Sequence, residues 1–297
     1  MEAVKINLDD YVQSGAGFNG ASYDMKSDPN VMVKLYNEDY PKQPIIDELE
    51  VARKVYELGV ASPEPGCLVT DGKRLGIKFR RIVGKRSFSR MLADEPERTE
   101  EYARIFARTC KKLHATECPK GMFPEAKEQF IDFVKWAKEL SESEKKVIID
   151  FINSVPECNT ALHGDMHIGN AITTLAKGAD LNSKYDIYFI DLGYFSRGCP
   201  LYDVGMFYNV CNVSDDNFIM KEMHITGETA RKVWNYFVDE YFFAEDNLAE
   251  KWFGKGATKE IVIENYSYYP FYGRSGSGRP HHRDRPGRKE VRRHAQG

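Results

Sequence analysis

Asp165, Asn170 and Asp191 are the residues whose types and spacing could do chemistry together. Asp165 and Asn170 bracket a short loop in Leu162-His163-Gly164-Asp165-Met166-His167-Ile168-Gly169-Asn170. Asn170 leads into the apolar run Ala171-Ile172-Thr173-Thr174-Leu175, and a second apolar run, Ile187-Tyr188-Phe189-Ile190, ends on Asp191. If the two runs pair as a hairpin, Asn170 and Asp191 meet at its open end, beside Asp165. Hard oxygen donors of this kind suit a magnesium ion, which keeps several waters and takes one or two carboxylates plus substrate phosphates. Phosphoryl transfer uses such a set, with one further carboxylate to accept the proton of an attacking hydroxyl. Asn170 and Asp191 are then the metal ligands and Asp165 the base. Each residue alone reads more simply as a turn Asp, a capping Asn and a strand-end Asp; their joint spacing, followed by Leu192-Gly193, favours a shared role.

Phosphates must be positioned as well as neutralised. Ser14-Gly15-Ala16-Gly17-Phe18-Asn19-Gly20 contains Gly-x-Gly-x-x-Gly. A dinucleotide fold would follow it with a helix. Here Ala21–Asp24 and Val31–Tyr36 read as strands separated by the turn Ser27-Asp28-Pro29-Asn30. The loop is therefore expected to be a hairpin whose Gly15, Gly17, Asn19 and Gly20 bring backbone N–H groups close to a phosphate. Lys34 lies inside the second strand, where a charge is costly unless paired or bound to an anion. Its partner is expected on the helix around Ile45–Tyr56, whose inward stripe is Ile45, Leu49, Ala52, Val55 and Tyr56. At ~100° per residue Glu48 falls on that stripe and Glu50 on the opposite face, so Glu48 is chosen and Glu50 held in reserve.

Cys67–Thr70 and Leu75–Phe79, joined through Asp71-Gly72, read as a second hairpin. From Ser87 the pattern turns helical. Tyr102, Ile105, Phe106, Thr109 and Leu113 share a face, as do Phe130, Phe133, Val134 and Ala137, and Val147, Ile148, Phe151 and Ile152; these stripes are read as core. His114 reads as a helix-terminal or core histidine, and His163 as a brace for the Asp165 loop. Thr226 is placed as the cap of a helix with the inward stripe Ala230, Val233, Trp234, Phe237, Val238 and Tyr241.

His-Gly-Asp at 163–165, Asn170, and Asp191-Leu192-Gly193 together resemble the aminoglycoside phosphotransferase and choline kinase superfamily, small-molecule relatives of the protein kinases. The resemblance covers roughly residues 10 to 245. It implies an α+β, bilobal protein-kinase-like fold: a small antiparallel-sheet N-lobe with one helix, then a mainly helical C-lobe. The implied boundaries are 1–84 for the nucleotide lobe and 85–272 for the catalytic and acceptor lobe, with Arg80–Gly84 as the linker beside the adenine. It further implies ATP and Mg2+, with Lys34 and Glu48 at the phosphates, and an acceptor pocket drawn from the C-terminal helices. Asp203 matches an Asp that the family sets near its active-site loop, and is read as holding that loop. Only a short segment separates Asp191 from Asp203 and no Ala-Pro-Glu follows, which favours a small hydroxyl acceptor (amino sugar, aminoglycoside, choline or amino alcohol) over a protein substrate. A protein kinase and a non-catalytic nucleotide-binding module are the alternatives.

Composition sets the outer bounds. The chain has 297 residues, 42% hydrophobic and 29% charged, enough for a sizeable core. A net charge of -3 argues against nucleic acid as partner. The six cysteines are scattered without a Cys-x-x-Cys pair, which fits free thiols in a reducing cytoplasm rather than zinc or a disulfide framework. Neither a signal peptide nor a membrane span is expected, so a cytoplasmic protein is. Residues 273–297 are basic and nearly devoid of apolar side chains, and disorder is expected there. Removing that tail leaves a more acidic body, a weak pointer to a cationic acceptor.

Overall fold

The computed structural model describes residues 2–17, 19–138, 140–244 and 246–267. The basic tail called at 273–297 lies outside them. In chain order the N-terminal part comprises β1 (Val4–Lys5), β2 (Tyr11–Gly17), β3 (Gly20–Met25), β4 (Val31–Tyr36), α1 (Lys42–Glu57), β5 (Pro65–Thr70) and β6 (Leu75–Arg80). These strands form one sheet in the order β1-β5-β6-β4-β3-β2. Every pairing is antiparallel except that of the edge strand β1, which runs parallel to β5 with Val4 opposite Val69. A two-residue strand carries no readable alternation, so the sequence offers no sign of this parallel edge.

Side-chain alternation along β4 sorts the N-terminal core into two layers. Val33 and Leu35 pack with Val69 on one face. Tyr36 packs with Leu68, Ile77 and the α1 residues Ile45 and Leu49 on the other. Lys34 is two residues from Tyr36 and so shares the face that α1 covers. The buried residues of α1 are Ile45, Leu49, Ala52 and Val55. Tyr56, also expected on the inward stripe, is 46% exposed. It follows the fully buried Val55 by ~100° and turns out to solvent.

The C-terminal part begins with β7 (Arg86–Ser87), α2 (Phe88–Asp94), α3 (Thr99–His114), α4 (Ala126–Trp136) and α5 (Glu142–Ser154). It continues through β8 (Thr160–Leu162), β9 (Ala171–Thr173), β10 (Ile187–Phe189), β11 (Ser196–Gly198) and α6 (Leu201–Tyr208). A π-helical turn over Asn209–Val213 leads to α7 (Asp216–Met223), α8 (Gly227–Phe243), α9 (Leu248–Phe253) and α10 (Lys259–Ser267). β9 and β10 pair as the expected antiparallel hairpin, Ala171 opposite Phe189, and β7 adds to its outer edge. β8 and β11 form a separate two-stranded sheet.

α3 and α8 make the centre of this part. Phe106 of α3 packs tilted against Phe88 and Phe237 and edge-to-face with Phe207, with ring centroids 5.1–5.9 Å apart. The whole stripe Ala230, Val233, Trp234, Phe237, Val238 and Tyr241 is buried. Burying each large side chain contributes roughly 1.5–3 kcal/mol relative to exposure. Thr226 caps α8 by accepting from Thr229 N–H. On α5, Ile148 and Ile152 face inward, but Val147 is 69% exposed, correcting its place in the core stripe. Ile148 and Ile152 are one turn apart and occupy the contact line, which leaves Val147 on the solvent flank. α4 ends at Trp136, and Ala137, expected in its stripe, is instead the half-buried residue that closes it. Among the described residues no helix is long and apolar enough to cross a membrane.

Candidate active site

Three pieces of backbone converge at the open end of the β9–β10 hairpin. Ile190 N–H donates to Asn170 C=O at 3.0 Å, carrying the pairing one residue past the strands and setting Ile190, the residue before Asp191, opposite Asn170. The loop before β9 closes on itself: Asn170 N–H donates to His167 C=O at 3.0 Å, and Asn170 Nδ2 to Asp165 C=O at 3.0 Å. Asn170 is buried. Its amide nitrogen is committed to the loop, leaving Oδ1 as the oxygen it can offer a cation.

Asp191 adopts left-handed backbone (φ 57, ψ 53) at the head of a short 3-10 turn over Leu192–Tyr194. Asp tolerates that region better than most residues, and such strain collects at functional sites. The Asp191 carboxylate meets Lys34 of β4, with Nζ 2.6 Å from Oδ1. The same ammonium lies 3.0 Å from Glu48 Oε1 on α1. Glu48 is thus the residue that reaches Lys34, while Glu50 is exposed. Glu48 also lies against the turn: a Cβ on Gly193 would stand 3.5 Å from Glu48 Oε2. Burial works to depress the Lys34 ammonium, but Asp191 and Glu48 outweigh it and hold it well above the ordinary lysine range. Lys34 in turn draws the Asp191 carboxyl below its ordinary value, outweighing its partial desolvation. Both groups are held charged.

A buried polar network carries the loop itself. Asp203, at the start of α6 and 1% exposed, accepts from His163 N–H at 2.6 Å through Oδ2 and from Gly164 N–H at 2.8 Å through Oδ1. His114, the last residue of α3, sets Nε2 3.1 Å from Asp203 Oδ2 and Nδ1 2.6 Å from the Tyr241 hydroxyl on α8. His163 accepts from Asp165 N–H through Nδ1 at 3.2 Å and donates from Nε2 to Ile190 C=O at 3.0 Å. It spans from the loop to the residue before Asp191. Gly164 has φ +76, and a Cβ there would lie 2.0 Å from Tyr194 C=O, so only glycine fits.

The glycine hairpin is built by β2 and β3, with Gly15 opposite Ser22 and Gly17 opposite Gly20 across the turn that holds Asn19. Asn37 N–H donates to Asn19 C=O at 2.9 Å. The glycines differ in what the fold asks of them. A Cβ on Gly20 would meet Leu35 C=O at 2.1 Å, whereas at Gly15 and Gly17 nothing stands closer than 3.8 Å. Gly20 is required by strand packing; Gly15 and Gly17 leave the backbone bare for another group to approach.

The structure therefore joins Lys34, Glu48 and Asp191 directly, and joins Asp165 to Asn170, and Asn170 to the residue before Asp191, through the loop and hairpin backbone. The Lys34–Asp191 contact, the Tyr241 hydroxyl on His114 and the His167–Asp165 approach were not read from sequence. Partners so far apart along the chain leave no local pattern. Among the described residues no group of three or more His, Cys, Asp or Glu could hold a metal. An all-protein cage is not what magnesium requires. One amide oxygen and one carboxylate with an oxygen beyond its Lys34 contact fit an ion that completes its shell with phosphates and water.

A family model described as a phosphotransferase enzyme family matches residues 14–234, a span that runs from the glycine hairpin through Lys34, Glu48, Asp165, Asn170 and Asp191 to Asp203. Among solved structures, an aminoglycoside-3'-phosphotransferase of type VIII is 16% identical, with a TM-score of 0.51 over 86% of this chain and 90% of its own. A choline/ethanolamine kinase family protein from Mesorhizobium loti is 17% identical over 86% and 74%, with a TM-score of 0.47. An aminoglycoside phosphotransferase from Streptomyces rimosus is 14% identical over 86% and 92%, with a TM-score of 0.48. No curated protein matches the chain in sequence. At these identities the likeness is one of fold, a strand-rich N-terminal part and a helical C-terminal part arranged as in the protein-kinase-like phosphotransferases. With its matched span covering most of the length, the chain belongs to the phosphotransferase enzyme family.

Proposed function

We propose that the protein is a Mg-ATP-dependent kinase that moves the γ-phosphoryl group to a hydroxyl of a small molecule of the amino sugar, aminoglycoside, choline or amino-alcohol type. The observation that carries this reading is Lys34 held between Glu48 and Asp191. A charged lysine fixed on a strand beneath a bare glycine hairpin is a phosphate-positioning device. Residues 1–84 would take the nucleotide, with Arg80–Gly84 beside the base, and residues 85–272 the acceptor.

In this reading Gly15, Gly17, Asn19 and Gly20 offer backbone N–H groups to the phosphates, and Lys34, oriented by Glu48, places its ammonium among them. Asn170 Oδ1 and Asp191 would hold magnesium, which when bound neutralises charge developing on the phosphates. Asp165 accepts the proton of the acceptor hydroxyl as its oxygen attacks. The chain does little covalent chemistry; positioning and charge do the rest.

The segment between Asp191 and Asp203 supports a small acceptor. It is taken up by the 3-10 turn, by β11 pairing with β8, and by the entry to α6. It offers no extended stretch on which a peptide could dock. All six cysteines are free, which fits a reducing cytoplasm.

The test is acceptor-dependent ADP release from Mg-ATP across a panel of amino sugars, aminoglycosides, choline and amino alcohols. Release with at least one class is expected. No release above solvent hydrolysis with any of them would overturn the reading, and transfer to generic peptides would replace it with a protein kinase.

A further inference from the structure

His167 sits two residues after Asp165, inside the loop, and the reaction as read so far gives it no task. Its Nδ1 accepts from Gly169 N–H at 3.0 Å. An imidazole that accepts at Nδ1 carries its proton on Nε2 when neutral. That nitrogen lies 3.6 Å from Asp165 Oδ1. Gly169 packs closely against the same edge of the ring. A Cβ on Gly169 would stand 2.9 Å from both Cε1 and Nδ1 of His167, and 3.5 Å from Met223 Sδ on α7. Gly169 thus lets the imidazole approach the backbone closely, and a side chain there would displace it.

We propose that His167 is a positioning residue for Asp165, its Nε2–H directed at one carboxylate oxygen so that the other is presented to the acceptor hydroxyl. The proposal rests on the reading of Asp165 as the proton acceptor. His163 offers the contrast, since it spends both ring nitrogens on backbone partners, whereas His167 spends one and keeps the other for a side chain. A separation of 3.6 Å is outside hydrogen-bond range, but catalytic hydrogen bonds are often long outside the reacting complex and tighten within it.

Three substitutions separate this role from a structural one, because amide side chains copy the two ring nitrogens separately. Asn places an oxygen where Nδ1 lies and can keep the Gly169 contact. Gln reaches the place of Nε2 with a donor. We expect His167→Ala and His167→Asn to lower kcat about 10–100-fold with KM for ATP little changed, and His167→Gln to recover most of that loss. Rescue by Asn and not by Gln, or wild-type kcat in all three, would overturn the proposal. A second readout does not need turnover. The nitrogen-15 resonances of His167 in the wild type should report a proton on Nε2 with Nδ1 accepting, and the Nε2 signal should move in Asp165→Asn. Protonation on Nδ1, or an Nε2 signal indifferent to that substitution, would also overturn it. A wild type that releases no ADP with any acceptor defeats the kinase reading instead, and the resonances still decide where His167 points.

Discussion

Lys34 and Asp191, 157 residues apart in sequence, meet at 2.6 Å, and the contact ties the N-terminal sheet to the hairpin of the C-terminal part. Glu48 completes the arrangement at 3.0 Å from the same ammonium. One cation thereby fixes two carboxylates, one from α1 and one from the turn after β10.

Removing the cation should be felt more than removing one anion. Lys34→Met leaves Glu48 and Asp191 facing each other uncompensated and removes the proposed phosphate contact; turnover is expected to fall by ~100-fold or more. Glu48→Gln keeps the ammonium and its Asp191 partner and should lose less. The stability change in Lys34→Met should be modest, roughly 1 kcal/mol, because the Asp191 side chain is 48% exposed and screened by solvent. Steady-state kinetics and thermal melts of both variants check this, and the reverse ranking in turnover would count against the assigned roles.

Asp203 should matter for stability and turnover together. It accepts from His163 N–H and Gly164 N–H and faces His114 Nε2, all of them buried or nearly so. Asp203→Ala strands these donors without an acceptor and is expected to destabilise by about 3 kcal/mol or more. Asp203→Asn keeps one acceptor oxygen and should sit between that variant and the wild type. Urea unfolding of the three proteins measures the series.

Gly164→Ala should be among the most damaging single-methyl changes in the chain. The added carbon would meet Tyr194 C=O at 2.0 Å, on backbone with φ +76. Neither contact partner is a flexible side-chain end, so the loop must move. Loss of several kcal/mol or of soluble expression is expected, together with near-complete loss of turnover. A Gly15→Ala control, where the nearest atom is 3.8 Å away, should fold normally. Circular dichroism melts distinguish the two.

Acid should weaken the anchor of α2 through Glu95. Its carboxylate, 5% exposed, lies 2.8 Å from Arg86 Nη2 and accepts from Gly178 N–H at 2.8 Å. Burial works to raise this carboxyl, but the Gly178 N–H and the Arg86 and Tyr102 side chains prevail and its pKa is lowered. A carboxyl lowered on folding stabilises fully above its unfolded pKa of ~4.3 and loses that contribution as pH falls through the folded value. Glu95→Gln should therefore be less stable than wild type at pH 7, with the gap narrowing below pH ~4.3. A gap that stayed constant across that window in urea melts would remove Glu95 from the acid response.

Local periodicity made much of this fold readable. The alternation along β4 sets Lys34 on the α1 face, the helical phase separates Glu48 from Glu50, and the α8 stripe is buried throughout. The same periodicity overreached at Tyr56 and Val147, where a stripe was drawn one residue wider than the neighbouring elements cover. Strands of two or three residues, such as β1, β7, β8 and β11, have no period to detect. The spacing of Asp165, Asn170 and Asp191 gave the loop and hairpin because those residues are close along the chain or joined by one hairpin. Contacts between distant residues, Lys34 with Asp191 and His114 with Tyr241, depend on how α1, α3, α6 and α8 pack and had no local signature.

The central claim is that Asp165 takes the proton of a small-molecule hydroxyl during transfer from Mg-ATP. The direct measurement is acceptor-dependent ADP release by wild type and by Asp165→Ala, with folding of both confirmed by their melts. A fall of roughly 100–10,000-fold in kcat with ATP binding retained is expected. Equal turnover in the two proteins would contradict the assignment.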